Sequence, residues 1–300
     1  MIVNPIVKKD LQVSARSMRL AWSVFAYEAI LTIAFLLALV VIQADSDFVY
    51  SNSNIYNRLV YLFPVIAIAQ VCIIALITPI ITASSISGEK ERQTFDVMLT
   101  TAMSPFSIVV GKVISAVIRI MFYVVGSLPI LALSFVVGGM KWVVLFQYLL
   151  AVLLLAIFSG SIGILCSSLC RRSITAVILS FVCYFVVYGM TFLHLLLRAI
   201  FEADNMGESL LWLLFNPGAF FEEFFCLVMM GESLLSDNSI ARNDAGAVTY
   251  FIVHNELWIY ISVVCILLLS LVFMLMAAWK VNPMHSSGGR KPGKKKKGND

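Results

Sequence analysis

The sequence predicts an all-α integral membrane protein with six transmembrane helices. Of its 300 residues, 61% are hydrophobic and only 13% are charged, whereas a soluble domain carries about 45–50% apolar and about 25% charged residues. The mean hydropathy is +0.96. Six separate apolar segments each reach the length of about 20 residues that a helix needs to cross the hydrocarbon core. No polar stretch is long enough for a soluble domain, so lipid is the expected solvent.

The predicted spans alternate with polar connections. They cover about 21–42, 59–83, 106–137, 142–168, 174–197 and 258–278. Gly126 and Pro129 predict a kink or break in the third and longest span. An even number of spans places both termini on one side, so we expect one transmembrane domain over 1–283. The Lys- and Gly-rich tail 284–300 is predicted to be disordered.

The distribution of basic residues predicts that both termini are cytoplasmic. Basic side chains cluster on the side of the termini, at Lys8, Lys9, Arg16, Arg19, Lys90, Arg92, Arg171, Arg172, Lys280, Arg290, Lys291 and Lys294–Lys297. The opposite loops are mostly acidic, beginning with Asp45 and Asp47. Positive loops remain on the cytoplasmic side, which indicates a multi-pass protein of the cell membrane. The tail is expected to attract anionic lipid headgroups and to bind no nucleic acid.

An amphipathic segment precedes the first span. Val7, Leu11, Ala15, Met18 and Trp22 recur at spacings of four, four, three and four, which is the apolar stripe of a helix. We expect this helix to lie along the inner membrane surface. The alternative is a solvated extension of span one.

The cytoplasmic stretch Ser84–Ser107 has a charged end and an apolar face. Its charges are at Glu89, Lys90, Glu91 and Arg92, and its apolar face comprises Phe95, Met98, Leu99 and Ala102. Pro105 is expected to end the helix. Such a helix between two spans suits docking to a partner, and an ordinary surface loop is the alternative.

The external stretch between spans five and six contains two short apolar pieces. They are Leu210–Phe215 and Ala219–Met230, separated by Asn216-Pro217-Gly218. Neither piece is long enough to span the bilayer. We expect short re-entrant helices that dip into the outer leaflet, or a small external cap.

The cytoplasmic stretch Ser84–Ser107 carries most of a family resemblance. The run Gly88-Glu89-Lys90-Glu91-Arg92-Gln93-Thr94-Phe95-Asp96-Val97-Met98-Leu99-Thr100-Thr101, with Ser104-Pro105 and Gly111-Lys112 downstream, resembles a charged motif of ABC-2-type exporter permeases. Gln93 stands where that family usually has glycine, and Ala102-Met103 where a Pro-Val-like pair is common. The opening Asn4–Leu11 is similar to the family's N-terminal interfacial helix. The resemblance covers nearly the whole chain.

The resemblance implies a transport subunit driven by a separate motor. ATP and Mg²⁺ would be bound by a partner ATPase, and a second permease, identical or different, would complete the pathway. The resemblance implies that this chain couples to the ATPase through its 84–105 segment. The predicted polar contacts are Glu89, Glu91, Arg92 and Thr94, and the predicted apolar contacts are Phe95, Met98 and Leu99.

The chain lacks its own nucleotide-binding motif. Gly288, Gly293 and Lys294 have the spacing of a phosphate-binding loop, but Lys295 follows where Ser or Thr is needed. No motif of a catalytic or metal site is present, and the three histidines are scattered. We therefore expect no enzymatic activity, no catalytic residue, no metal and no cofactor in this chain.

Three charges lie within the apolar runs, and a charge at the bilayer centre normally faces protein or water. They are Glu28, Lys112 and Arg119. Lys112 and Arg119 are seven apart and share one face of span three, and Lys112 is close enough to the cytoplasm to snorkel. The simplest hypothesis is a Glu28–Arg119 ion pair that fixes helix packing. A substrate contact, a proton relay and snorkelling are the alternatives.

An aromatic stripe follows span five. Phe181, Tyr184, Phe185, Tyr188 and Phe192 recur at helical spacing, which is typical of packing or lipid contact. The resemblance implies instead that spans two and five line the route, which makes the first four candidate pathway residues.

A secondary transporter driven by an ion gradient is the alternative function. That class often contains internal repeats and intramembrane acids near the midplane. Here no convincing repeat is found, and Glu28 is the one clear acid within an apolar run.

Overall fold

The computed structural model describes residues 5–48, 59–95, 104–139, 141–201, 213–230 and 257–282. Within those ranges the secondary structure is helical, without strands. The helices are α1 Pro5–Ala15, α2 Met18–Phe48, α3 Leu62–Glu91, α4 Pro105–Val137, α5 Trp142–Leu169, α6 Ser173–Phe201, α7 Pro217–Met230 and α8 Leu257–Val281. The predicted tail 284–300 lies outside the described residues.

Five helices in the described ranges are long and apolar enough to cross a membrane. They are Met18–Ile42, Leu62–Glu91, Pro105–Val137, Trp142–Leu169 and Leu257–Val281. The predicted span 174–197 lies in α6, of which Ser173–Gly189 is a shorter apolar helix by the same criteria. The multi-pass membrane fold is thus confirmed, while the count of six spans stays a prediction.

The second span helix extends beyond the predicted end of its span. α3 continues from the predicted limit at 83 to Glu91 without a break. The first residues of the charged motif, Gly88–Glu91, are therefore the last turn of a spanning helix. The predicted apolar face with Phe95, Met98, Leu99 and Ala102 lies outside the described residues after Phe95. The helix ends where Gln93 adopts a φ of 58°. There the amide of Thr94 donates to the Glu89 carbonyl over 3.0 Å.

The third span helix begins where the preceding helix was expected to end. Pro105 is the first residue of α4, and the Ser104 hydroxyl caps the helix by accepting from the Ser107 amide at 3.2 Å. Proline is favoured in the first turn because its missing N–H would have no partner there. The third span is not broken near Gly126 and Pro129, since helical structure is continuous to Val137, and the kink predicted there stays a prediction.

The fourth span helix forms the centre of the bundle. α5 is buried over most of its length and contacts α3, α4, α6 and α8. Gly163 permits the close approach of α3, because a Cβ at this position would lie 1.8 Å from the Thr82 hydroxyl oxygen. Small residues of this kind let helix backbones approach closely in membranes.

The N-terminal helix is distinct from the first span. Arg16 and Ser17 separate α1 from α2, so a continuous extension of span one is excluded. Ile6 and Val7 are buried, and α1 packs against α4. Further along the predicted stripe, Trp22 is exposed. The helix itself is confirmed, and its position on the membrane surface stays a prediction.

The external apolar piece 219–230 forms a short helix. α7 begins one residue after Asn216, whose side-chain oxygen accepts a hydrogen bond from the Gly218 amide at 2.8 Å. The Asn216 side-chain nitrogen donates to the Val187 carbonyl on α6 at 2.7 Å. Four buried phenylalanines, Phe220, Phe221, Phe224 and Phe225, join this helix to the main core. The other piece, 210–215, is described only from Leu213 onward, and insertion of either piece into the outer leaflet stays a prediction.

Candidate coupling surface at the end of α3

A buried lysine joins three helices at the predicted cytoplasmic end of the bundle. Lys112 Nζ on α4 lies 2.8 Å from Glu89 Oε1 on α3 and 3.0 Å from Asp10 Oδ2 on α1. The Lys112 side chain is only 3% exposed. Snorkelling of Lys112 to solvent is therefore wrong. Two carboxylates compensate the desolvation of the ammonium group, as a buried charge requires.

A second set of contacts fixes the tip of α3 to the connection between α5 and α6. Glu91 Oε2 accepts from the Ser173 amide at 3.2 Å and from its hydroxyl at 2.8 Å. Ser173 is the first residue of α6, and a carboxylate at a helix N-terminus is stabilised by the helix dipole. Lys90 donates to the carbonyl of Ser168 near the end of α5. The motif residues thus bind neighbouring helix ends.

One serine connects α5 to the last two turns of α3. The Ser167 hydroxyl oxygen accepts from two successive α3 amides, those of Ile86 at 2.9 Å and Ser87 at 2.8 Å. All three residues are buried. Because Ser167 contacts the backbone, it fixes the axial position of the segment that leads to Glu89.

The end of this segment is a tight, left-handed turn at Gln93. Its φ of 58° lies in a region that costs an L-residue roughly 1–2 kcal/mol, and glycine avoids this cost. The turn explains physically why the resembling motif carries glycine at this position. Arg92, Gln93 and Thr94 are exposed around the turn, so it forms an accessible polar tip.

Phe95, predicted to contact the partner, packs inside this chain. The residue is 8% exposed and belongs to a core cluster. The cluster comprises Ile86, Phe95, Val109, Val113, Ile164, Ala277, Ala278 and Val281. Lys90 Nζ lies 5.6 Å from the Phe95 ring centroid. A ring with so little exposed area holds the tip against the bundle. Met98 and Leu99 lie outside the described residues.

The predicted Glu28–Arg119 ion pair is absent from the described residues. α2 and α4 run parallel, with Ser23 Oγ 2.8 Å from Tyr123 OH and Tyr27 OH 3.5 Å from Ser127 Oγ. Each contact joins residues 100 apart, so Arg119 lies level with position 19, nine residues before Glu28. At about 1.5 Å per residue, roughly 13 Å along the helix axis separates the two charges.

Each of these two charges has other neighbours. Arg119 Nε donates to the Ser115 carbonyl at 3.4 Å and interacts electrostatically with Asp10. Glu28 Oε1 is buried without a hydrogen-bond partner, and a Cβ on Gly126 would lie 2.6 Å from it. The sequence placed both charges within helices, but only the register of α2 against α4 decided that they do not meet.

A buried polar network deeper in the bundle was missed by the sequence analysis. Gln70 Nε2 donates to Ser127 Oγ at 3.0 Å, and Tyr148 OH donates to Gln70 Oε1 at 3.1 Å. Tyr27 OH also donates to Ser127 Oγ. All four residues are buried. The available signal was Gln70 itself, an amide within an otherwise apolar run, because such a group needs partners inside a membrane.

The aromatic stripe of α6 divides between two environments. The rings of Tyr184 and Tyr188 are stacked, with centroids 5.9 Å apart and an interplanar angle of 4°. Both interact with Ser159 on α5, and their hydroxyls are buried without a well-formed hydrogen bond. Phe185 is 81% exposed and Phe181 is half-buried. The side chain of Phe192 lies outside the described part, and pathway lining by this stripe stays a prediction.

Comparison with known families agrees with this architecture. A family model described as ABC-2 family transporter protein matches residues 38–279, which is more than half of the chain. A search of curated proteins found no match. In the described ranges, no group of three or more His, Cys, Asp or Glu side chains could hold a metal ion.

Proposed function

The chain belongs to the ABC-2 family of transporter proteins, and we propose that it is the permease of an ATP-driven exporter. In this proposal the chain forms the transmembrane pathway with a second permease. A separate ATPase binds ATP and Mg²⁺ and supplies the energy. The single observation that supports this most strongly is the continuation of α3 from the membrane to the polar tip at Arg92–Thr94.

A continuous helix is suited to transmit motion from a soluble motor. α3 has 30 residues and is therefore about 45 Å long. It carries the tip at one end and Gln70 of the buried polar network within its membrane part. A displacement of the tip would shift the deep part of α3 against α4 and α5, with Pro79 as the one proline inside the helix.

The contacts around the tip divide the motif residues into two groups. Glu89, Glu91 and Phe95 bind the rest of this chain. Arg92 and Thr94 are exposed. We assign the partner contact to Arg92, Gln93 and Thr94, with Met98 and Leu99 as further candidates. Glu89, Glu91 and Phe95 would hold this surface in place against the force that the ATPase exerts.

The pathway and the orientation complete the proposal. Six spans are few for a wide route in one chain, so a second permease would complete it. Tyr184 and Tyr188 would contribute hydroxyl groups to a path suited to amphipathic or apolar substrates. Both termini would be cytoplasmic, with α1 on the inner membrane surface and lipids around the exposed apolar faces.

A secondary transporter is the second candidate, and Glu28 is the observation that favours it. Its buried carboxylate oxygen lacks a hydrogen-bond partner, and an acid within a span is typical of that class. An ion-coupled transporter would work without an ATPase. The two functions are therefore separable by identifying what binds the tip and what drives transport.

The test is affinity purification of the tagged chain from its native membrane, followed by mass spectrometry. We expect a stoichiometric ATPase with a phosphate-loop motif. Arg92→Ala combined with Thr94→Ala should reduce its recovery about tenfold, since the exposed tip would lose two polar contacts. Arg16→Ala, an exposed cytoplasmic-side control on another segment, should not reduce it.

The opposite result would be a chain that purifies alone and transports solute after reconstitution without ATP. That result would reject the exporter and support the ion-coupled function. Recovery of the ATPase unchanged by the tip variant would retain the exporter but reject the assigned contact.

A further inference from the structure

Three charged side chains are in contact where α1, α3 and α4 meet, and a fourth, Arg119, is within electrostatic range of one of them. Asp10 and Glu89 are acidic, and Lys112 and Arg119 are basic, so their formal charges sum to zero. Lys112 pairs with both acids, and Arg119 interacts electrostatically with Asp10. We refer to these four residues as the charge cluster. Its neutrality is consistent with its low exposure, since a net buried charge would be costly.

We propose that Lys112 is a positioning residue that links the coupling tip to the N-terminal helix. When the tip moves, Glu89 moves with it, and Lys112 passes this change to Asp10 on α1. Lys112 contacts neither ATP nor substrate and acts through these two carboxylates. As a step of ATP-driven transport this inference rests on the proposed function, but the link itself is a property of this chain alone.

The first argument is that Lys112 is the polar connection between the tip and α1. Glu89 Oε1 bonds to Lys112 Nζ at 2.8 Å, while Glu89 Oε2 is buried without a hydrogen-bond partner. In the described ranges no hydrogen bond or ion pair joins Glu89 directly to α1. The attractive link between Glu89 and α1 therefore runs through Lys112, because the Glu89 and Asp10 carboxylates, which both bind Lys112 Nζ, repel each other directly.

The second argument is that α1 has few other strong contacts with the bundle. Ile6 and Val7 are its buried residues in the described part, whereas Lys8, Lys9, Gln12 and Val13 are exposed. The helix has only 11 residues, and isolated helices of this length are marginal in water. The docking of α1 should thus depend strongly on the Asp10–Lys112 ion pair.

The third argument is the contrast between two neighbouring glutamates. Glu89 binds Lys112 and thereby faces α1, whereas Glu91 binds Ser173 at the start of α6. Both are on the last turn of α3 and carry the same charge. If α1 responded only to a general loss of contacts at the tip, Glu89→Gln and Glu91→Gln would affect it equally. An effect specific to Glu89 would identify the charge cluster as the route.

The experiment is hydrogen–deuterium exchange of the purified full-length chain in detergent, with peptides that cover α1. Four proteins form a double-mutant cycle: the unsubstituted chain, Glu89→Gln, Lys112→Met, and both together. Glu91→Gln is the matched control, and Lys112→Arg tests rescue by a conserved charge. No partner or substrate is required, so the result is independent of the purification experiment above.

We expect Lys112→Met to raise α1 exchange about tenfold, because α1 loses its ion pair, and Lys112→Arg to restore most of the protection. Glu89→Gln should raise α1 exchange at least about threefold when Lys112 is present, because the ammonium group loses one of the two carboxylates that hold it. When Lys112 is methionine, Glu89→Gln should instead lower α1 exchange, because it relieves the direct repulsion between Glu89 and Asp10. Glu91→Gln should leave α1 exchange within about twofold of the unsubstituted chain.

Two results would overturn the proposal. The first is unchanged α1 exchange in Glu89→Gln, which needs no Lys112 variant and remains decisive if Lys112→Met fails to fold. The second is an equal effect of Glu89→Gln with and without Lys112. Either result would leave the exporter function standing, whereas a missing ATPase in the purification would reject that function and leave the link intact.

Discussion

The carboxylate of Glu28 on α2 lies against Gly126 on α4. A Cβ built on Gly126 would be 2.6 Å from Glu28 Oε1 and 3.5 Å from Cγ1 of Val24. The first distance is well inside van der Waals contact. Glycine at this position therefore admits an acidic side chain between two spans, which gives Gly126 a role in helix packing.

Gly126→Ala should destabilise the protein through this contact. The added methyl group displaces the Glu28 carboxylate, which is the far end of a flexible side chain, so relative to Gly189→Ala the overpacking should cost only about 1 kcal/mol. Thermal unfolding in detergent should show a lower Tm. Glu28→Ala in the same chain should restore most of the loss, because it removes the obstructing group. Gly189→Ala is the control, since a Cβ there meets nothing within 4 Å.

Exchange of the charges at Glu28 and Arg119 should fail to rescue the single variants. About 13 Å along the helix axis separates the two positions. In the double variant Glu28→Arg, Arg119→Glu the two exchanged charges are therefore still too far apart to form an ion pair. Expression level and Tm of the double variant should be no better than those of the worse single variant. A double variant that recovers both would demonstrate an ion pair and contradict the register of α2 and α4.

Gln93→Gly should stabilise the tip of α3. Glycine adopts a φ near 58° without steric cost, and relief of a left-handed L-residue is expected to contribute about 1 kcal/mol. The gain should be measurable as a higher Tm or as slower exchange of the amides near Thr94. Arg92, one residue earlier, has a negative φ, so Arg92→Gly should be neutral or destabilising.

Phe95→Ala should destabilise the isolated chain, because the ring packs in the core cluster around Val109. Truncation of a buried phenylalanine costs about 3–5 kcal/mol. The measurement is thermal unfolding of the purified chain with no ATPase present. Thr94→Ala on the exposed tip is the control and should change the Tm little. An unchanged Tm for Phe95→Ala would return this ring to the predicted role of a partner contact.

The sequence predicted the elements well where the signal was local. Apolar length identified five spanning helices, the 3.6-residue period identified α1, and an apolar piece identified α7. The boundary of span two was wrong because a polar stretch in a membrane protein ends the lipid contact and need not end the helix. Local hydrogen bonds continue through Ser84–Glu91 whether the side chains face lipid, protein or water.

The candidate site was predicted only in part. The family motif located Glu89 through Phe95, but it did not distinguish residues that bind the chain itself from those that are exposed. Lys112 was expected to reach solvent, since a lysine near a membrane surface usually can. Two carboxylates from distant parts of the sequence, Asp10 and Glu89, made burial the more stable arrangement.

The sequence by itself determined that this chain is a helical membrane protein of the ABC-2 type, because composition, hydropathy and one charged motif are properties of the chain read in order. Only the tertiary structure decided which charges meet, which glycine admits a neighbour and which aromatic rings face inward. Those outcomes depend on the axial register and rotation of packed helices. A shift of one turn moves a side chain by about 5.4 Å, which is more than the length of an ion pair.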